Sequence, residues 1–112
     1  MKIREDFTCP LEICFDIIKG KWKPIIIWLL RLGPTQPSKL LHDIKGISEK
    51  MLQQQLKELL LTGIIGKISY DGYPNKVKYF LTDVGCELLQ ALEVFQRVGI
   101  YYLNEKNIEK EE

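Results

Sequence analysis

The chain has 112 residues, of which 46% are hydrophobic and 28% charged, and its net charge is +1. That length suits one domain, and the composition excludes a disordered, collagen-like or mucin-like chain. The longest strongly apolar stretch, Pro24 to Leu32, is interrupted by Arg31 and falls well short of the roughly 20 residues that a bilayer span needs, so no membrane partner is expected.

Pro10 is placed to be the first residue of a helix reaching about Lys19, with Cys9 as its N-cap and Gly20 as its stop. A second helix follows from about Trp22, tolerating Pro24 in its first turn, and its body from Ile25 to Leu30 should be buried on most sides. Gly33-Pro34 stops it. Pro37 opens a short helix through Asp43, with Leu40 and Ile44 spaced to point inward together. Ser48 is a good N-cap for the next helix and Gly63 a good stop. Within it Leu52, Leu56 and Leu59 form the i, i+4, i+7 stripe of a buried face, leaving Glu49, Lys50, Gln53, Gln54 and Lys57 on the open one. Two runs, Ile64 to Tyr70 and Val77 to Thr82, flank the turn-forming residues 71–76 and predict a β-hairpin. The last helix begins at Thr82 or Asp83 and passes Tyr101. Its stripe of Leu88, Leu92, Phe95, Gly99 and Tyr102 can pack on the domain's own core or on a partner helix. Residues 104–112 are expected to be a frayed, charged tail.

The fold class implied is mainly α with a small β-hairpin (α+β), in the order of a winged helix-turn-helix, with residues 1–112 as a single domain. In that arrangement the short helix braces the next one, whose polar N-terminal face fits the major groove of double-stranded DNA. Ser48, Lys50, Gln53, Gln54 and Lys57 are the candidate groove contacts, and Lys76 and Lys78 of the hairpin the candidate phosphate contacts. Charge placement agrees: residues 39–78 hold seven lysines against four carboxylates, whereas from residue 79 onward three cations face seven carboxylates. The plainer reading, a solvated surface followed by an acidic tail, accounts for the same charges.

Several motifs fall in order along the chain: Cys9-Pro10-Leu11, Gly20-Lys21-Trp22, Gly33-Pro34, residues 46–52 (GISEKML), Leu56-Lys57-Glu58-Leu59, Val77-Lys78-Tyr79 and residues 81–85 (LTDVG). Together they resemble the HxlR-type transcriptional regulators over residues 9–103. The resemblance implies a bacterial-type regulator that dimerises through its first and last helices, here through Leu11, Phe15, Leu88, Leu92, Phe95, Gly99 and Tyr102. It also implies a pseudo-palindromic operator and action as repressor or activator. In several members of the family the cysteine at the position of Cys9 senses oxidants or electrophilic quinones, and an N-cap thiol at the positive end of a helix dipole favours the reactive thiolate. The alternative is an inert thiol kept as a small cap. The chain departs from the family pattern at Gln36-Pro37, at Leu60-Leu61 and at Val98-Gly99.

The N-terminal residues carry charge of both signs without a signal-like apolar segment. Cys9, Cys14 and Cys86 are odd in number with no CxxC spacing, so neither a disulfide framework nor a zinc site is expected. A cytoplasmic location follows as an expectation. His42 stands alone, the carboxylates are scattered, and there is no glycine-rich phosphate loop, so neither enzyme activity nor a cofactor is expected. Two further readings stay open. One is a winged-helix module that binds a protein partner and not DNA. The other is a regulator controlled by a small molecule held between the terminal helices, near Trp22, Phe95, Tyr101 and Tyr102.

Overall fold

The computed structural model describes residues 4–72 and 76–105. Five helices and one antiparallel hairpin follow in the order α1 (Leu11–Ile17), α2 (Trp22–Leu29), α3 (Pro37–Asp43), α4 (Glu49–Leu61), β1 (Ile65–Tyr70), β2 (Lys76–Leu81) and α5 (Asp83–Glu105), with a 3₁₀ turn at Leu30–Leu32 extending α2. This is the architecture expected from the sequence.

The core forms where α2, α3, α4 and the base of the hairpin meet. Ile26, Ile27 and Leu30 meet Leu40 and Ile44, the α4 stripe Leu52, Leu56 and Leu59, and Ile64, Ile65 and Tyr79. All are buried. The apolar body of α2 is not buried all round, because Ile25, Trp28 and Leu29 are half-exposed and Leu32 faces solvent.

α4 is closed at both ends by its own sequence. The Ser48 hydroxyl accepts from the Met51 N–H at 3.0 Å, an N-cap of the ordinary kind. At the other end Gly63 adopts φ +76°. Its N–H then bonds to Leu60 O while that of Ile64 bonds to Leu59 O, each at 3.1 Å. This is a Schellman ending, and an L side chain at Gly63 would resist it.

The hairpin pairs Ile65 with Leu81 through to Tyr70 with Lys76. Thr35, just ahead of α3, adds a one-residue third strand by exchanging both backbone bonds with Tyr79, at 2.9 and 2.8 Å. The hairpin is thereby tied to the start of the helix-turn-helix. Thr82 is not a strand residue but the joint to α5. Its hydroxyl accepts from the Gly85 N–H at 3.2 Å and sits 2.6 Å from Gly63 O and 2.9 Å from Ile64 O, to which it donates.

Besides Thr82, three expectations are corrected at the termini and one more at the hairpin. Cys9 is not the N-cap of α1. Pro10 holds that place with helical φ −56° and ψ −21°, because the first turn is tightened by bonds from Glu12 N to Cys9 O and from Ile13 N to Pro10 O. α1 ends at Ile17 and not at Lys19. Asn104 and Glu105 belong to α5 and not to a frayed tail, and the rest of the expected tail, 106–112, lies outside the described residues. Lys76 opens β2 and is not a turn residue, while the expected turn residues Tyr73, Pro74 and Asn75 also lie outside the described residues.

Gly85 is buried in the first turns of α5, and a β-carbon there would run into the backbone oxygen of Ile64 and crowd Leu81. Helix propensity alone favours Gly→Ala by up to about 1 kcal/mol, yet here the obstacle is backbone. We therefore expect Gly85→Ala to destabilise the fold by about 1–3 kcal/mol, read as a lower urea midpoint with an unchanged slope.

Candidate nucleic-acid interface

Burial of Leu52, Leu56 and Leu59 turns the opposite face of α4 outward, and Lys50, Gln53, Gln54 and Lys57 are all exposed on it. Ser48 is exposed too, but its oxygen is occupied as the cap acceptor, so it shapes the start of the helix. Gln54 is engaged as well: its Nε2 donates to Glu58 Oε2 at 2.7 Å. Lys50, Gln53 and Lys57 carry no side-chain bond among the described residues.

Behind that face lies an ion pair that sequence reasoning missed. Lys23, in the first turn of α2, is only 5% exposed, and its Nζ reaches Glu58 Oε1 at 2.9 Å. An ammonium at a helix N-terminus is disfavoured by the helix dipole, and burying it costs more unless it is paired. Glu58 supplies the partner. The hydrogen bond from Lys23, and then that from Gln54, hold the Glu58 carboxyl below its ordinary pKa.

α3 braces α4, and its outer surface carries Lys39 bonded to Asp43 at 3.0 Å and His42 Nδ1 at 3.1 Å from the same carboxylate. The His42 contact, then Lys39, lowers the Asp43 pKa. His42 is exposed.

On the hairpin, direct partners share a face, so Ile68, Tyr70, Lys76 and Lys78 lie together on one side. Lys76 is exposed. Lys78 is half-buried, with its Nζ 5.5 Å from the Tyr70 ring centroid, a cation–π contact along the strand diagonal. Tyr70 was not singled out from sequence, although its place diagonal to Lys78 was the available signal. At the base of the hairpin, burial raises the Tyr79 pKa.

The residues expected to meet a second copy divide into two sets. Leu92 is buried and Leu88 half-buried against the chain's own core. Leu11, Phe15, Phe95 and Tyr102 are open, at 65%, 55%, 59% and 41% exposure, and Gly99 is exposed, with open space where a β-carbon would stand. Between α2 and α5 is a cavity of about 600 Å³, where Ile25 and Trp28 face Leu92, Phe95, Ile100 and Leu103. Of the aromatic residues expected near an effector only Phe95 lines it. Trp22 instead lies beside Gly46 in the turn between α3 and α4, with Lys21 over its ring, and Tyr101 and Tyr102 stack on each other edge to face.

Cys9 is half-buried and, like Cys14 and Cys86, is a free thiol. Glu12 reaches back to accept from the backbone N–H groups of Thr8 and Cys9, and Arg4 bonds to Glu12 and Asp16. These contacts lower the Glu12 pKa, the Thr8 and Cys9 backbone bonds first. The Glu12 carboxylate is thus tied to the backbone at Cys9, in the place a capping side chain would take.

A helix with an exposed polar face, braced by a short helix and flanked by a strand-tethered hairpin, defines a winged helix-turn-helix DNA-binding protein. The family model of the HxlR-like helix-turn-helix matches residues 17–107. The chain is 35% identical to the HTH-type transcriptional regulator YkvN of Bacillus subtilis over 94% of its own length and 89% of that protein's. Among solved structures, the redox regulator HypR in its reduced form superposes with a TM-score of 0.82 at 29% identity, over 88% of this chain and 98% of that one. The reduced form of the transcriptional regulator YodB from B. subtilis superposes at 0.69 with 33% identity, over 86% and 92%. This chain belongs to the HxlR-like family and is a transcriptional regulator of winged-helix type. No helix among the described residues is long and apolar enough to cross a membrane.

Glu58→Ala leaves the Lys23 ammonium buried and unpaired. Because Glu58 itself is partly exposed, the expected loss is about 2 kcal/mol, between the exposed and fully buried limits for ion pairs. A carboxyl with a depressed folded-state pKa contributes stability that is present above its unfolded value and is lost as pH falls through the folded one. Urea unfolding of the wild type should therefore weaken below about pH 4, and Glu58→Ala should flatten that part of the profile.

Proposed function

We propose that this protein is a cytoplasmic, non-enzymatic regulator that binds a pseudo-palindromic operator sequence-specifically as a homodimer. The observation that carries the reading is the face of α4, where Lys50, Gln53, Gln54 and Lys57 are exposed together opposite the buried leucine stripe. Lysine supplies phosphate or guanine contacts and glutamine can pair with adenine. The hairpin adds Lys76 and, above Tyr70, Lys78.

The open apolar residues on α1 and on α5 support a second copy as the natural cover, since large exposed apolar surface marks association. In a symmetric dimer the two α4 helices would sit about 34–36 Å apart, one turn of DNA, or a multiple of that spacing. A thiol response through Cys9 is supported by the redox-regulator neighbour HypR, which has been solved in reduced and oxidised forms. The cavity beside α5 favours a second kind of effector, a small apolar molecule, because its size falls in the ordinary range of ligand pockets.

Fluorescence anisotropy with the duplex upstream of the protein's own gene, across a salt series and against random competitor, tests the central reading. Tight, competitor-resistant, salt-sensitive binding is expected. Lys57→Ala and Lys76→Ala should each reduce the slope of log affinity against log salt by about 1. Failure to bind either duplex at low salt would favour a module that binds protein. In sedimentation velocity Phe95→Glu should yield monomers. Repeating the titration with oxidant, on wild type and Cys9→Ser, tests the thiol: oxidant should change affinity only where Cys9 is present.

A further inference from the structure

Beside its structural pairing with Lys23, the Glu58 carboxylate also bonds a side chain of the exposed α4 face, Gln54. We propose that Glu58, anchored by the buried Lys23, is a positioning residue that fixes the side-chain amide of Gln54 with its carbonyl outward, so that Gln54 selects adenine at one base pair of each operator half-site. The inference rests on the DNA-binding reading above.

An ionised carboxylate has no proton to give, so the Gln54 atom 2.7 Å from Glu58 Oε2 must be the amide nitrogen. An exposed glutamine amide can otherwise turn end for end and offer either group to a base. Here that freedom is removed. One N–H is committed to Glu58, and the carbonyl and the second N–H remain. This acceptor and donor match the N6 amino group and N7 of adenine, whereas guanine presents acceptors at both O6 and N7, so a fixed carbonyl meets a second acceptor there.

Glu58 can hold Gln54 because it is itself held. Its other oxygen is 2.9 Å from Lys23 Nζ, and Lys23 is almost fully buried, so the ion pair cannot open without stranding an ammonium in the core. The chain Lys23–Glu58–Gln54 runs from α2 to the outer face of α4. Restricting a flexible side chain before it binds also lowers the entropy lost on contact.

The test begins by selecting an operator with the wild-type protein from duplexes carrying a randomised central stretch. Affinities are then measured for the selected duplex and each of its single-base-pair substitutions. Gln54→Ala should remove discrimination of at least about fivefold at one A·T pair per half-site. The double substitution Lys23→Met/Glu58→Met replaces the ion pair with apolar side chains and strands no charge. It should cut discrimination at that same pair by threefold or more, leave the other pairs as they were, and add nothing in a Gln54→Ala background. Full discrimination in the double variant, an equal loss at every base pair, or a Gln54→Ala variant that relaxes no position would overturn the proposal while leaving DNA binding intact. If the wild type enriches no sequence, the DNA-binding reading falls and this one with it. Side-chain amide relaxation in the wild-type protein gives an answer that needs no variant to fold. Gln54 should be as rigid as the backbone and Gln53 mobile, and equal mobility of the two would sink the idea.

Discussion

Leu52, Leu56 and Leu59 are fully buried in one core with Ile26 and Ile27 of α2 and Leu30 of the turn that extends it, and this packing sets the rotation of α4 about its own axis. Successive residues of a helix are about 100° apart, so a turn of one position would expose a leucine and push Gln53 toward the core. Each of the three leucines contributes about 1.5–3 kcal/mol through burial, which makes that alternative untenable. The polar face of α4 points outward because the apolar one has a single place to go. The Ser48 cap and the Gly63 ending fix where along the chain this face starts and stops.

Two secondary devices hold the surroundings of that helix in place. The pairing of Thr35 with Tyr79 attaches the hairpin to the segment that leads into α3. The Lys23–Glu58 pair crosses from α2 to α4 and puts a polar cross-link at the edge of an otherwise apolar seam. An apolar seam tolerates some sliding, whereas an ion pair with hydrogen bonds demands one register.

The parts of this fold that were legible in the sequence are those whose signals are local. Ser48, the leucine stripe and Gly63 mark α4 within sixteen consecutive residues, and the structure reproduces its ends to within two positions. What escaped reading depends on partners far along the chain. Lys23 sits in an apolar helix as any snorkelling lysine does, and its partner lies 35 residues away, a separation that carries no periodicity. Trp22 was assigned to an effector site by its aromatic character alone. Its true neighbour, Gly46, is brought close only by the α3–α4 turn. Cys9 lost its cap position because a proline already in helical geometry can stand at the boundary itself.

The junction at Thr82 and Gly85 has a mechanical meaning. There the base of α5 rests directly on the backbone that leaves α4, with no side chain between and with the Thr82 hydroxyl bridging the two. Side-chain layers yield by rotamer changes, but a contact between main chains has no such compliance. α5 is 23 residues long, about 34 Å, and beyond its base the α2 residues Ile25 and Trp28 face Phe95, Ile100 and Leu103 across a cavity. A shift of α5 at this joint therefore meets no side-chain layer that could absorb it before the backbone at the C-terminus of the helix that carries the polar face.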